Sequence, residues 1–460
     1  MDKIALLKER RAEVLAAGTE IRKKISALVD ADSFVELSGF SFSKNDFYEE
    51  GAKDGGIVAG FASVDGYPVY IAAQNAAVLC GGLSAANCKK LLKCLELAEK
   101  NSTPVIYILD SLGVQIGEGV SVLEGFASVL AKATGLHGVV PQFAVVSGEV
   151  YGQSALLAAV SDFTFFLKDG IVAANSPLVI SAKSGKNLPK EQVGGAACLD
   201  GTNIVSFAEK DLVSVREKIA KVLGVLPFCS EAVVENGSDL NASSPALNEK
   251  CSADDLIAAV FDADTYVEFG KSSPEIKCVL GRIGGISVAA VVFDGETGVE
   301  LTALNVAKIN GFVEFAGYYG LPFITFVDTL GLRADLPTQN SLAMKNIVKL
   351  AENYELLENA KIAVVYKKAI GLGYTLFAAK SMGFDYTCAF ANAEIALFDG
   401  VQGAEIEFSD AQADKAKLAA KYAEENADPV HAAKEGFVDD IIEPQFVRQY
   451  LIASLQMLLK

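Results

Sequence analysis

The stretch Ser147-Gly148-Glu149-Val150-Tyr151-Gly152-Gln153-Ser154 joins an apolar, strand-like run, Gln142 to Val146, to an alanine- and leucine-rich run that starts near Ser154. A strand that breaks at glycine and restarts as a helix leaves its first amides without internal acceptors, and the helix dipole adds positive potential at the same point. Such a turn can hold an oxyanion. The sequence repeats the arrangement, with Val364-Val365-Tyr366-Lys367-Lys368-Ala369-Ile370-Gly371-Leu372-Gly373 running into Tyr374-Thr375-Leu376-Phe377-Ala378-Ala379. Two turns predict two anion sites. Acid–base chemistry has little else to work with: the chain has two histidines, His137 and His431, and His137 beside a Gly-Val-Val strand reads as structural. Eight cysteines stand at 80, 88, 94, 198, 229, 251, 278 and 388 with no Cys-x-x-Cys pair, so neither a metal site nor a disulfide framework is expected.

The elements that position these turns are themselves duplicated. Leu28-Val29-Asp30-Ala31-Asp32-Ser33-Phe34-Val35-Glu36-Leu37 returns 232 residues later, from Val260 to Phe269. Pro104 to Gly113 (PVIYILDSLG) returns as Pro322 to Gly331 (PFITFVDTLG), an offset of 218, and Gly152 maps on Gly371 at 219. A repeat this long is two copies of a domain rather than the short period of a solenoid. The first copy is expected over 1–235 and the second over 249–460, with the polar stretch Glu235 to Leu247 (ENGSDLNASSPAL) as linker.

With 460 residues, 51% hydrophobic and 21% charged, the chain can bury substantial cores. A net charge of −18 argues against a nucleic-acid partner, which needs clustered Lys and Arg. Any anionic ligand must then be met by local bases. The charged N-terminus lacks a signal-peptide core and no apolar run is long enough to cross a bilayer, so a cytoplasmic protein is expected.

In chain order, Leu6 to Leu28 reads as one amphipathic helix, and Gly56 to Gln74 as an edge hairpin about Asp65-Gly66. After Cys80-Gly81-Gly82-Leu83-Ser84 a helix over Ala86 to Lys100 carries Cys88 and Cys94 into the core. A strand over Val105 to Leu109 leads to a glycine-punctuated loop, Asp110 to Gly119, and Val120 to Lys132 is helical. A helix is also read over Ala208 to Leu223, and in the second copy over Ala411 to Glu425 and Pro444 to Leu459. Strands alternating with helices argue for parallel pairing with crossover helices, an α/β fold.

Taken together, Asp54-Gly55-Gly56-Ile57-Val58-Ala59-Gly60, Asp110-Ser111-Leu112-Gly113 with Gly117-Glu118-Gly119, Val140-Pro141-Gln142, Gly194-Gly195-Ala196, Phe326-Val327-Asp328, Lys368-Ala369-Ile370-Gly371 and Ala393-Glu394-Ile395-Ala396 carry a resemblance. Their order, with the duplication, is similar to the carboxyltransferase component of biotin-dependent acyl-CoA carboxylases and decarboxylases. The likeness runs from about Leu28 to Ile442. It implies two tandem crotonase-like domains of the ClpP/crotonase superfamily. The chain departs from the family at Ser111-Leu112-Gly113-Val114-Gln115 (usually Ser-Gly-Gly-Ala-Arg), Tyr151-Gly152-Gln153 (Ala-Gly-Gly) and Ile370-Gly371-Leu372-Gly373 (Tyr-Gly-Gly-Ala). Backbone amides survive these changes, while Leu112, Tyr151 and Gln153 narrow the cavity or fill it.

Moving a carboxyl group between biotin and the α-carbon of a short-chain acyl-CoA builds negative charge on the thioester oxygen and on the ureido oxygen. Each calls for fixed donors. The resemblance implies that the amides of Gly152 and Gln153 face the thioester and those of Leu372 and Gly373 the biotin ring, with Gly371 as the second hinge. For the substrate it points to Gly81, Gly82, Gly113, Gly194 and Gly195. The phosphates of coenzyme A need a basic patch, for which Lys89 and Lys90 with Lys93, or Lys183, Lys186 and Lys190, are candidates. Ala343-Met344-Lys345 lies in a helix-like run and lacks the Met that follows a biotinyl lysine, so the biotin carrier protein is expected to be another chain. The resemblance further implies partnership with a biotin carboxylase or membrane decarboxylase subunits. It also implies a homodimer, facing the N-half of one subunit against the C-half of its mate, or a trimer of such dimers. Two alternatives stay open: a crotonase-type acyl-CoA enzyme without biotin, such as a hydrolase or hydratase, and a scaffold subunit whose pocket has closed.

Overall fold

The computed structural model describes residues 2–41, 56–199, 202, 204–227, 239–270, 273–408 and 414–459. Cys229, Asp54 and Gly55, the linker residues before Asp239 and the expected helix start at Ala411 lie outside the described residues. The chain divides into two compact units, residues 1–223 and 224–460, each built on its own sheet.

The helix expected over Leu6 to Leu28 is two helices, α1 (Lys3–Ala17) and α2 (Thr19–Leu28), because Gly18 ends one and begins the other. Of the two, α2 packs inward through Ile21, Ile25 and Leu28. After the short β1 (Val35–Leu37), β2 (Ile57–Val64) and β3 (Tyr67–Gln74) form the hairpin. Its two turn residues, Asp65 (φ 51°) and Gly66 (φ 81°), adopt the left-handed values that match the twist of the flanking strands. The hairpin is not the sheet edge, since β1 pairs with the outer side of β2.

Ser84 accepts from the Asn87 amide to start α3 (Ala85–Asn101), which buries Cys88, Leu91, Cys94, Leu95 and Ala98. β4 (Val105–Ser111), α4 (Val120–Gly135), β5 (Gln142–Tyr151), α5 (Gln153–Val160) and β6 (Phe163–Leu167) follow, all three strands parallel. β7 (Ile171–Ala173) pairs with the end of β5, and α6 (Pro177–Ser184) and α7 (Lys190–Gly194) lead to β8 (Phe207–Glu209) and α8 (Leu212–Val225). The helix expected from Ala208 starts later, because Phe207–Glu209 adds to β6 as a strand.

The second unit repeats this plan. After α9 (Ala246–Glu249) and α10 (Ala253–Val260) come β9 (Val267–Phe269), β10 (Ile276–Ile283), β11 (Ile286–Phe293), β12 (Val299–Leu301), α11 (Ala303–Tyr318) and β13 (Phe323–Leu332). Next are α12 (Leu336–Gln339), α13 (Ala343–Leu356), β14 (Lys361–Ile370), α14 (Leu372–Phe377), β15 (Tyr386–Phe390) and β16 (Glu394–Ala396). α15 (Gly400–Glu407), α16 (Lys415–Asn426), α17 (Pro429–Lys434), β17 (Asp440–Ile442) and α18 (Val447–Leu458) close the chain. The sheet orders, β1-β2-β3-β4-β5-β6-β8 and β17-β15-β14-β13-β11-β10-β9, are the same path read in opposite directions. Both units are crotonase-like α/β folds. Among the described residues no helix is long and apolar enough to cross a membrane.

Equivalent polar groups brace both copies. Asp30 accepts from Ser63, the Asp65 and Gly66 amides and Arg216, fastening the first hairpin to α8. Asp262 accepts from the Gly284 and Gly285 amides and Arg448, fastening the second to α18. Lys90 and Lys308, one on each crossover helix, are buried and donate to backbone carbonyls, Lys90 to Ile57 (3.1 Å) and Lys308 to Gly270 (2.6 Å) and Ile276 (2.5 Å).

Candidate active site

Each turn follows a bulged strand. Between β4 and β5 the register passes from Leu109↔Val146 to Ser111↔Val150, so Asp110 alone opposes Ser147, Gly148 and Glu149. Between β13 and β14 it passes from Val327↔Val365 to Thr329↔Ala369, so Asp328 opposes Tyr366, Lys367 and Lys368. The extra residues let β5 run on to Tyr151, beyond the Val146 at which its apolar pattern stops.

Gly152 then takes φ 64°, ψ −129° as the cap of α5, and Gly371 takes φ 52°, ψ −118° as the cap of α14. A side chain is strained at such positive φ, which explains both glycines. Gly152 donates its N–H to the Ala173 carbonyl (3.2 Å) and Gly371 to that of Ala396 (2.9 Å). The Gly152 amide is therefore not available to a ligand as expected; it ties the turn to β7. Amides that meet no acceptor among the described residues include those of Gln153 and Ser154 in the first unit and of Leu372, Gly373 and Tyr374 in the second.

A second glycine keeps the space before each turn open. A Cβ on Gly331 (φ 87°) would lie 3.3 Å from the Ile370 carbonyl oxygen and 3.8 Å from the nitrogens of both Leu372 and Gly373. In the first unit Gly113 (φ 129°) faces Gly152, whose added Cβ would come 3.9 Å from the Gly113 Cα. The Ser111 hydroxyl accepts from Gly113 N–H (3.3 Å) and the Thr329 hydroxyl from Gly331 N–H (3.1 Å), fixing both loops alike.

The remaining glycines singled out in the sequence gather around the first turn. Leu112 N–H donates to the Cys80 carbonyl (3.0 Å) and Leu83 N–H to that of Gly113 (2.9 Å), which lays the Gly81-Gly82 loop against the end of β4. A Cβ on Gly81 would overlap the Asp110 carbonyl, and one on Gly194 that of Val172. Gly195 bridges to Ile171 on β7. These glycines are close-approach positions between backbones. Lys89 and Lys93 are exposed on α3 and Lys183 and Lys186 on and after α6, none of them in an ion pair among the described residues. Lys90, 3% exposed and bonded to Ile57, is out of reach of any phosphate, which corrects its grouping with Lys89.

Several groups escaped the sequence reading. Asp110 pairs with Lys24 of α2 (3.0 Å), which also donates to Ser147 (3.0 Å). Gln74 donates to the Ser154 hydroxyl (2.8 Å) while accepting from Asp110 N–H (3.0 Å), placing a polar network behind the first turn. Glu149 accepts from Lys190 (2.9 Å) and from the Tyr151 hydroxyl (2.8 Å). The Lys190 bond holds the Glu149 carboxyl below its ordinary range against the effect of burial, whereas burial and then Glu149 push the Tyr151 phenol up. Asp328 is 0% exposed and pairs with Lys367 (3.3 Å); burial raises its carboxyl, opposed by Lys367 and Lys368. Only the periodicity break at Gly148 and Lys367 hinted at these pairs, and it names no partner.

The carboxyl transferase domain family matches residues 15–460 of the chain. The chain is 29% identical to methylmalonyl-CoA decarboxylase subunit alpha of Veillonella parvula, over 99% of this chain and 96% of that one. It is 30% identical to a putative propionyl-CoA carboxylase beta chain of Bacillus subtilis, over 95% and 90%. Among solved structures, transcarboxylase 12S, a hexamer described with methylmalonyl-coenzyme A and methylmalonic acid bound, superimposes with a TM-score of 0.90 at 24% identity, over 99% of this chain and 95% of that one. That likeness is one of fold.

Proposed function

The chain belongs to the carboxyl transferase domain family, and we propose that it moves a carboxyl group between biotin on a separate carrier chain and the α-carbon of a short-chain acyl-CoA. The observation that carries this reading is the pair of equivalent turns, each with at least two acceptor-free amides and a glycine beside them. One thioester needs one oxyanion site; a reaction with charge on two oxygens uses both.

In this reading the Gln153 and Ser154 amides hold the thioester oxygen as the α-carbon becomes carbanion-like, and Gly113 keeps the approach clear. The Leu372 and Gly373 amides hold the ureido oxygen over Gly331. Bound biotin supplies the nitrogen that carries the carboxyl group and exchanges the proton. This chain's part is to fix the two oxygens and exclude water; His137, set beside Asp162 (3.5 Å), lies outside both turns. Lys89 with Lys93, or Lys183 with Lys186, meets the phosphates of coenzyme A.

The assembly proposed is a two-fold dimer, alone or in a hexamer, in which the N-half of one subunit faces the C-half of its mate. Apolar side chains stand exposed at equivalent places after β4 and β13: Ile116, Val120 and Leu123 in the first unit, Leu336, Leu342 and Met344 in the second. Such patches suit burial by a second copy. Partner subunits supply the biotin carrier and either a biotin carboxylase or a membrane decarboxylase. A cytoplasmic setting suits the free cysteines, of which Cys88, Cys94, Cys278 and Cys388 are buried.

Equilibrium binding of propionyl-CoA and of biotin methyl ester, each alone and then together, tests the reading. Independent binding of both is expected. Propionyl-CoA alone would favour a biotin-independent enzyme, and neither ligand a scaffold whose first pocket Tyr151 has filled.

A further inference from the structure

Beside the second turn the scaffold carries an ion pair that the first turn lacks. β12 brings Glu300 into register with Gly331, the glycine that keeps the Leu372 and Gly373 amides accessible. Arg333, two residues beyond Gly331, is pinned by its own N–H to the Leu301 carbonyl (2.9 Å) and donates Nε to Glu300 Oε2 (3.2 Å). Its two terminal nitrogens meet no acceptor among the described residues. One strand spacing, about 4.8 Å, separates Glu300 from Gly331, so the pair stands at the rim of the gap.

The equivalent positions in the first unit, each 218 residues earlier, are neutral: Gly82 for Glu300, Leu83 for Leu301 and Gln115 for Arg333. Gln115 keeps the same backbone bond, to the Leu83 carbonyl (2.8 Å), but its side chain is buried and donates to the Gly82 carbonyl (3.1 Å). Other cations about the two turns are committed: Lys24 to Asp110, Lys190 to Glu149, Lys367 to buried Asp328 and Lys368 to Glu394. Arg333 and Glu300 are 40% and 46% exposed in their side chains, much as Lys190 and Glu149 are (40% and 36%), and at such exposure an ion pair adds little stability and yields readily to a competing carboxylate. The planar guanidinium, with its terminal N–H groups open, matches a carboxylate bidentately.

We propose that Arg333 is the specificity residue of the second turn, receiving a carboxylate borne on the ureido nitrogen of the ring, and that Glu300 holds it at the rim until that carboxylate arrives. The proposal rests on the reading that the second turn takes biotin. It adds that the ring is preferred with a carboxylate beside the urea, a preference the neutral Gly82 and Gln115 give the first turn no means to express.

Two stable probes separate these statements: biotin methyl ester, with a neutral ring, and its N1′-carboxymethyl derivative, which sets a carboxylate beside the urea. The ratio of their affinities is measured by calorimetry for the full chain and for R333Q, R333K and E300Q. R333Q is expected to weaken the carboxymethyl probe about 10- to 100-fold while leaving the neutral ester unchanged, the range for a charge-assisted bidentate contact. R333K should fall between, and E300Q, which frees the guanidinium, should tighten the carboxymethyl probe. A structural ion pair would respond alike to R333Q and E300Q, so equal shifts of both probes, or an unchanged ratio in R333Q, overturn the role of Arg333. Wild-type protein that binds neither probe overturns the biotin reading beneath it as well.

Discussion

The two turns share a backbone and differ in what surrounds it. Gly152 and Gly371 have nearly the same dihedrals, tie their N–H groups to β7 and β16, and leave at least two amides open ahead of them. Behind the first turn lies the network of Gln74, Ser154 and Asp110. At the same positions in the second unit stand Phe293, which packs edge-on to Phe377, and Gly373, where any Cβ would overlap the Thr329 methyl. The positions of Glu300 and Arg333 are held in the first unit by the neutral Gly82 and Gln115. Backbone geometry alone thus accounts for oxyanion binding twice over, while side chains decide which ligand comes to which turn.

Breaking either hinge should have the largest effect. Gly152→Pro or Gly371→Pro removes the tie to the neighbouring strand and distorts the turn, and each should lower turnover at least about a hundredfold. If subunits pair N-half to C-half, co-refolding the two inactive variants in equal amounts restores about a quarter of wild-type activity, because half the dimers are mixed and one of their two sites is intact. No recovery from variants shown to exchange subunits would remove the shared-site dimer.

Next in size is the basic patch. Lys89→Glu with Lys93→Glu should weaken acyl-CoA binding about tenfold at low salt, less at high salt, and leave biotin methyl ester unaffected. Titration of Lys183→Glu with Lys186→Glu under the same conditions decides between the clusters; equal loss of both ligands would point to misfolding instead. A smaller effect is expected at Gln153, where Gln153→Gly retains the amide and removes the side chain. Acyl-CoA affinity should hold or rise by up to about tenfold, and a loss would mean that the glutamine side chain itself contacts the ligand.

The smallest effect concerns the first scaffold rather than the turns. Burial works to raise the Asp30 carboxyl, but bonds from Ser63, the Gly66 and Asp65 amides and Arg216 hold it at about 2 against an ordinary 3.8. A depressed carboxyl stabilises the fold fully above about pH 4 and loses that contribution as pH falls toward 2. Unfolding free energies of Asp30→Asn from urea titration should be lower than wild type by about 1–2 kcal/mol near neutral pH and converge with it in acid. Parallel profiles would contradict this.

Much of this arrangement was legible in the sequence because duplication marks whatever is repeated. The 218–219 offset places both turns and the Asp110 and Asp328 loops, and both appear where they were read. The offset of 232 at Asp30 shrinks to 219 at β2 because the connection from β1 to β2 is longer than that from β9 to β10. What was not legible depends on partners distant in sequence. Nothing near Lys90 says that Ile57 will take its ammonium, nor near Gly152 that Ala173 will take its N–H. Gly18 divides an unbroken amphipathic pattern without altering its period, and the strand at Phe207–Glu209 borrows its pairing from β6. Arg333 looked unremarkable until the register of β12 set Glu300 beside Gly331.

The claim that each turn serves one ligand is tested most directly by titrating propionyl-CoA and biotin methyl ester into two folded variants, Gly152→Pro and Gly331→Ala. Gly331→Ala puts a methyl group before the Leu372 and Gly373 amides and leaves the first turn untouched. The account predicts that Gly152→Pro loses propionyl-CoA binding and keeps that of biotin methyl ester, and that Gly331→Ala does the reverse. Loss of the same ligand in both variants would contradict it.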